Sequence, residues 1–137
     1  MNDMKATDTS VPADLVIEDD SAAGIARARD VARVYAASLD PAAPADTSDA
    51  LQLVVSELTT NALRHGGGHY TLQLSSGPDS VSVAVSDNSS ELPQERTPDF
   101  AGRTGGFGWH MVRHYCRTLA VTLVPGEGKT ILAVLPL

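Results

Sequence analysis

The sequence predicts an α+β two-layer sandwich, a largely antiparallel mixed sheet with helices on one face. Two segments with helical spacing come early in the chain. Two pairs of alternating segments follow, each pair joined by a tight turn. The order β-α-α-β-β-loop-α-β-β leaves one layer of helices over hairpin-built strands.

Each element has a local reason. Residues 1–12 are small and polar and end on Pro12, so a disordered tail is expected before a domain over 13–137. Leu15-Val16-Ile17 predicts a short strand. Glu18-Asp19-Asp20-Ser21 then supplies a helix cap and an acidic first turn. Apolar residues recur at Ala23, Ile25, Ala28, Val31, Ala32, Tyr35 and Ala36, predicting a helix over 22–39 that Asp40-Pro41 ends. Residues 40–47 form a loop. Ser48 or Asp49 caps a second helix, Ala50 to His65, stopped by Gly66-Gly67-Gly68.

Residues 70–74 and 81–85 alternate around the turn Ser76-Gly77-Pro78-Asp79 and read as a hairpin. Residues 87–106 are rich in Ser, Pro, Gly and charge. A loop of that length in a small domain is functional or mobile. A third helix is predicted over 109–118. Two strands, 120–124 and 130–135, close the chain around Pro125-Gly126-Glu127-Gly128.

The totals bound the function. A chain of 137 residues suits one domain with one core. The net charge of −7 argues against direct nucleic-acid binding, which needs Lys and Arg to neutralise phosphates. It leaves room for a nucleotide, because backbone N–H groups at a helix N-terminus hold phosphate without a basic surface. The single cysteine, Cys116, fits a reducing compartment and reads as a small buried hydrophobe. No apolar run approaches the ~20 residues of a membrane span. A polar N-terminus without an apolar stretch completes the expectation of a cytoplasmic protein.

Four pieces of sequence carry chemistry. On the second helix, Leu51, Val54, Val55, Leu58 and Ala62 share an apolar face, and Glu57, Asn61 and Arg64 form a polar stripe beside it. A stripe at the rim of a core can line a cleft, although many such stripes are only solvated surface. Asp87 stands where an apolar strand stops, placed to accept from an exocyclic amine or to make a turn with its own backbone. Thr104-Gly105-Gly106-Phe107-Gly108 precedes a helix, where backbone N–H groups can approach an anion or merely form a linker. Gly128-Lys129-Thr130 lacks the glycine a phosphate-binding P-loop requires, since Leu123 stands in its place, and a strand follows it. His110 and His114 are four apart on one helix but have no evident third ligand for a metal.

These four pieces in this order resemble the Bergerat ATP-binding fold of histidine kinases, type II topoisomerases and heat-shock chaperones. The chain is most similar to the actinobacterial branch, the anti-sigma factor serine/threonine kinases, over residues 14–137. The resemblance implies ATP and Mg²⁺ as cofactors. It implies that Asn61 in VSELTTNALRHG helps hold Mg²⁺ and that Glu57 polarises the attacking hydroxyl. Arg64 and His65 would either contact phosphate or face the hinge. The motif Asp-x-Ser-x-x-x-Pro is matched by Asp87, Ser89 and Pro93, with Asp87 receiving the adenine amine. Gly105, Gly106, Phe107 and Gly108 match the lid motif. Gly128 and Thr130, around Lys129, match the final Gly-x-Thr, with Thr130 placed near Asp87. Many relatives carry Arg where this chain has Phe107, and Arg103 is the candidate substitute cation.

By the same resemblance, the partners are a sigma factor and an anti-anti-sigma antagonist whose serine is phosphorylated. A homodimer is open. The alternative is a nucleotide- or partner-binding module of the same fold that transfers no phosphate. A severed histidine-kinase catalytic domain is disfavoured, because no dimerisation helix pair is evident.

Overall fold

The structure is a computed structural model, and it describes residues 15–19, 23–65, 69–90 and 106–137. The chain runs β1 (Leu15–Asp19), α1 (Ala23–Ser38), α2 (Ala45–His65), β2 (Tyr70–Ser76), β3 (Ser80–Asp87), α3 (Gly106–Tyr115), β4 (Thr118–Val124) and β5 (Gly128–Pro136). The strands form one sheet in the order β1-β2-β3-β5-β4. All four of its ladders are antiparallel.

Strand parity builds the core. Val81, Val83 and Val85 of β3 are buried, as are Ile131, Ala133 and Leu135 of β5 and Leu72 and Leu74 of β2. Successive strand residues point to opposite faces, so these side chains line one face of the sheet. Against it pack Ala28, Ala32, Tyr35 and Ala36 of α1 and Leu51, Val54, Val55, Leu58 and Ala62 of α2. The apolar face predicted for the second helix is the buried one. Small Ala side chains on α1 fit a close approach to α2, and each fully buried Leu or Val contributes about 1.5–3 kcal/mol. No helix among the described residues is long and apolar enough to cross a membrane.

Several boundaries differ from the sequence expectation. Glu18 and Asp19 do not open a helix. They extend β1, where Glu18 pairs with Thr71 and Asp19 with Tyr70, and ladder hydrogen bonds outweigh their capping tendency. The second helix starts a turn earlier than Ala50, because the Pro44 carbonyl accepts the first helical bond from Ser48 N at 2.9 Å. Ser48 and Asp49 are therefore inside α2, and Asp46 supplies the acidic first turn. The third helix takes in Gly106, Phe107 and Gly108 and ends at Tyr115. Beyond it, the Arg117 amide donates to the Val134 carbonyl at 2.7 Å, so pairing with β5 has already begun. Strand β5 begins at Gly128, two residues before Thr130.

Candidate nucleotide site at the Asp87 end of the sheet

One end of the sheet brings Tyr70, Asp87 and Lys129 side by side. Tyr70 opens β2 and is the register partner of Asp87, the last residue of β3. Asp87 is in turn the partner of Lys129 on β5. His65 closes α2 five residues before Tyr70. Five residues span at most about 18 Å, so the last turn of α2, with Asn61, Arg64 and His65, is tethered to this end.

Asp87 and Lys129 are buried at 5% and 2% exposure. Their side chains form an ion pair, with Lys129 Nζ 3.1 Å from Oδ1 and 3.0 Å from Oδ2 of Asp87. Lys129 also donates to the Ser89 carbonyl at 3.3 Å. The Ser89 amide donates to Asp87 Oδ1 at 2.9 Å, an Asx-type turn that fixes the carboxylate to its own loop. Charges are buried at this level only when paired and hydrogen-bonded, and here both are.

Parity explains why Lys129 is the partner. Lys129, Ile131, Ala133 and Leu135 share the core-facing side of β5. Thr130 faces the other side, where its hydroxyl lies 2.8 Å from Ser86 Oγ. Thr130, expected near Asp87, is the register partner of the preceding residue Ser86, while Lys129 holds the Asp87 carboxylate. The burial rhythm of Lys129-Thr130-Ile131-Leu132-Ala133 was the available signal, because a lysine in phase with buried apolar residues points inward.

Gly128 holds the loop and strand together. Its φ is +100°, and a Cβ there would lie 2.0 Å from the Asp87 carbonyl oxygen and 2.8 Å from Asn88 backbone atoms. Only glycine allows β5 to approach the end of β3 so closely.

On α2, Glu57 and Asn61 are half-buried, and Arg64 and His65 are exposed in the last turn. Burial raises the Glu57 carboxyl above the usual 4.5, and the Arg64 guanidinium partly opposes the shift. A carboxyl raised by burial is a functional-site candidate. Arg64 and His65 also suit the negative end of the helix dipole. The sequence did not reveal Thr59, which is fully buried between these residues and donates to the Val55 carbonyl at 2.7 Å. Its hydroxyl is satisfied within the helix, a bond invisible to apolar periodicity.

Pro93, Arg103 and Gly105 lie outside the described residues. A cavity of about 600 Å³ lined by Leu39, Pro41, Pro44, Ser76, Pro78 and Leu137 sits at the opposite end of the sheet, away from Asp87. Among the described residues no group of three His, Cys, Asp or Glu side chains could hold a metal ion.

The sequence model described as the histidine kinase-like ATPase domain matches residues 19–135, most of the chain and every helix above. The chain belongs to that family. Nucleotide binding follows for a histidine kinase-like ATPase domain, and the antiparallel sheet with its helical layer is the frame on which it is built. No curated protein matches the chain. Within this ATPase domain, the Asp87–Lys129–Ser89 cluster and the half-buried Glu57 and Asn61 of α2 are polar groups adjoining the core.

Proposed function

We propose that this ATPase domain binds Mg-ATP at the Asp87 end of the sheet. We further propose that it passes the γ-phosphoryl group to a serine or threonine hydroxyl of an antagonist protein, while holding a sigma factor in competition with that antagonist. The observation that carries this reading is the half-buried pair Glu57 and Asn61 on α2, in a chain of the histidine kinase-like ATPase family.

The residues fit the cofactor. Magnesium prefers oxygen ligands and keeps several waters, so one amide oxygen from Asn61 together with phosphate oxygens suffices. When bound, the ion neutralises charge on the β- and γ-phosphates. Glu57, one turn before Asn61, orients the attacking hydroxyl and accepts its proton. The hydroxyl oxygen forms the new bond to the γ-phosphorus, the bond to the β–γ bridging oxygen breaks, and ADP leaves. A carboxyl raised by burial is a better base than an exposed one near neutral pH. Asp87, held by the Ser89 amide, meets the base end of the nucleotide.

The test is phosphate transfer from labelled ATP to a purified antagonist, with Glu57→Gln alongside. Transfer that falls by about 10²–10⁴ in the variant is expected for loss of a general base. Transfer unaffected by the variant would refute the role of Glu57.

A second reading is favoured by one specific observation. Lys129 already occupies the carboxylate of Asp87, and Phe107 stands where many relatives carry a cation. A domain with these features could bind a partner and a nucleotide without transferring phosphate. Nucleotide binding without transfer to any serine-bearing antagonist would favour it.

A further inference from the structure

We infer that Lys129 sets the base specificity of the nucleotide site, making it accept purine nucleoside triphosphates with either a 6-amino or a 6-oxo edge. The inference rests on the nucleotide-binding reading above and adds the class of ligand.

An exocyclic amine is recognised because it brings N–H donors to a carboxylate. Lys129 Nζ brings N–H donors to the same two oxygens, at 3.1 and 3.0 Å, and a full positive charge with them. It is an internal competitor for the place of the amine. Counting acceptor sites makes the point sharper. Asp87 Oδ1 already accepts from the Ser89 amide and from Lys129, and Oδ2 lies 3.0 Å from the same ammonium as an ion-pair contact. A carboxylate offers about four lone-pair sites, so roughly two are left, both on the oxygen that faces the lysine charge.

The lysine is held in place. Its side chain has no exposure, and its third acceptor is the Ser89 carbonyl at 3.3 Å. Swinging it out would leave two buried charges unpaired. A base therefore meets a carboxylate that is neutralised and partly occupied.

Neutralisation acts twice in the same direction. The 6-amino group of adenine loses most of its attraction to the carboxylate. The 6-oxo group of guanine or hypoxanthine loses most of its repulsion. Specificity is the difference between two affinities, and both changes shrink it. The nucleotide is then held mainly by its phosphates, and Lys129 is a specificity-determining residue.

The experiment is calorimetric titration of the whole chain with Mg-ATP and Mg-GTP, repeated on Lys129→Met and Lys129→Gln. Thermal unfolding shows which variants are folded. The expected result is that the wild-type dissociation constants for ATP and GTP agree within about threefold, while the variants prefer ATP by about tenfold or more. Wild-type protein that binds neither nucleotide, beside a variant that binds ATP, would overturn the inference, because Lys129 would then block the site instead of broadening it. A wild-type preference for ATP of about tenfold or more, or a ratio the variants do not change, would overturn it and leave the nucleotide site intact. If neither variant folds, the wild-type ratio decides alone. Folded proteins that all fail to bind either nucleotide would overturn the nucleotide reading, and this inference with it.

Discussion

Lys129 and Asp87 are register partners on neighbouring antiparallel strands, and their side chains meet as a bidentate ion pair on the core-facing side of the sheet. Both are almost wholly buried. Removing one partner strands the other charge. Asp87→Asn is therefore expected to cost about 3–5 kcal/mol, whereas Asp87→Asn combined with Lys129→Met recovers most of that loss. Urea unfolding of the two single variants, the double variant and the wild type measures the coupling. Additive losses would mean that the pair contributes little to stability.

Gly128 and Gly126 form a matched control. Both have positive φ, +100° and +76°, but a Cβ at Gly126 meets open space while one at Gly128 collides with the Asp87 backbone. Gly126→Ala should cost about 1–2 kcal/mol, the backbone strain alone. Gly128→Ala should cost clearly more, because the end of β3 must move. Equal losses in chemical denaturation would show that the close approach does not matter.

Much of this fold was legible before the structure. The face Leu51-Val54-Val55-Leu58-Ala62 is buried residue for residue, because apolar spacing reports directly on which side of a helix meets the core. Asp87 sits at its strand end as its position after Val81-Ser82-Val83-Ala84-Val85 indicated. What escaped was tertiary pairing. The match of Gly128 and Thr130 to Gly-x-Thr directed attention to the hydroxyl, but starting β5 at Gly128 gives Lys129 the inward parity and Thr130 the outward one. Beginning the strand at Gly128 brings Lys129 into the ladder opposite Asp87, in phase with Ile131, Ala133 and Leu135. Glu18 and Asp19 escaped for a related reason, since only the partner strand β2 reveals that they lie in a ladder.

Glu57 gives a pH signature. Its carboxyl is raised by burial, so the folded state binds this proton more tightly than the unfolded state does. The stability that the protonated form contributes is complete below the unfolded value near 4.5 and is lost as pH rises through the higher folded value. Glu57→Gln removes this dependence. The variant should be more stable than the wild type at pH 7, and the gap should close as pH falls below 4.5. Unfolding midpoints across that range test it. A gap that widens on acidification would contradict the assigned direction.

Cys116 should be a slow thiol. Burial pushes it up to about 11, and it packs against the core beyond the end of α3. At pH 8 only about one thiol in a thousand would be thiolate, the reactive form. Reaction with a disulfide reagent on the folded protein should be far slower than after denaturation, and similar rates would show an exposed thiolate.

Leu58 lies on α2 one position after Glu57 and is 1% exposed. Leu58→Ala should cost about 2–5 kcal/mol through lost burial and a cavity. Val34, on the exposed side of α1, should tolerate Ala within about 0.5 kcal/mol. A small loss at Leu58 would mean that α2 does not anchor the core.

The central claim is a Mg-ATP site between the Glu57–Asn61 stripe and the Asp87 end of the sheet. Its most direct test is calorimetric titration of the wild type with ATP, with and without Mg²⁺, beside Asn61→Ala. The account predicts saturable, magnesium-dependent binding that Asn61→Ala weakens by about tenfold or more. An absence of binding at millimolar ATP, or binding that neither magnesium nor Asn61→Ala affects, would contradict it.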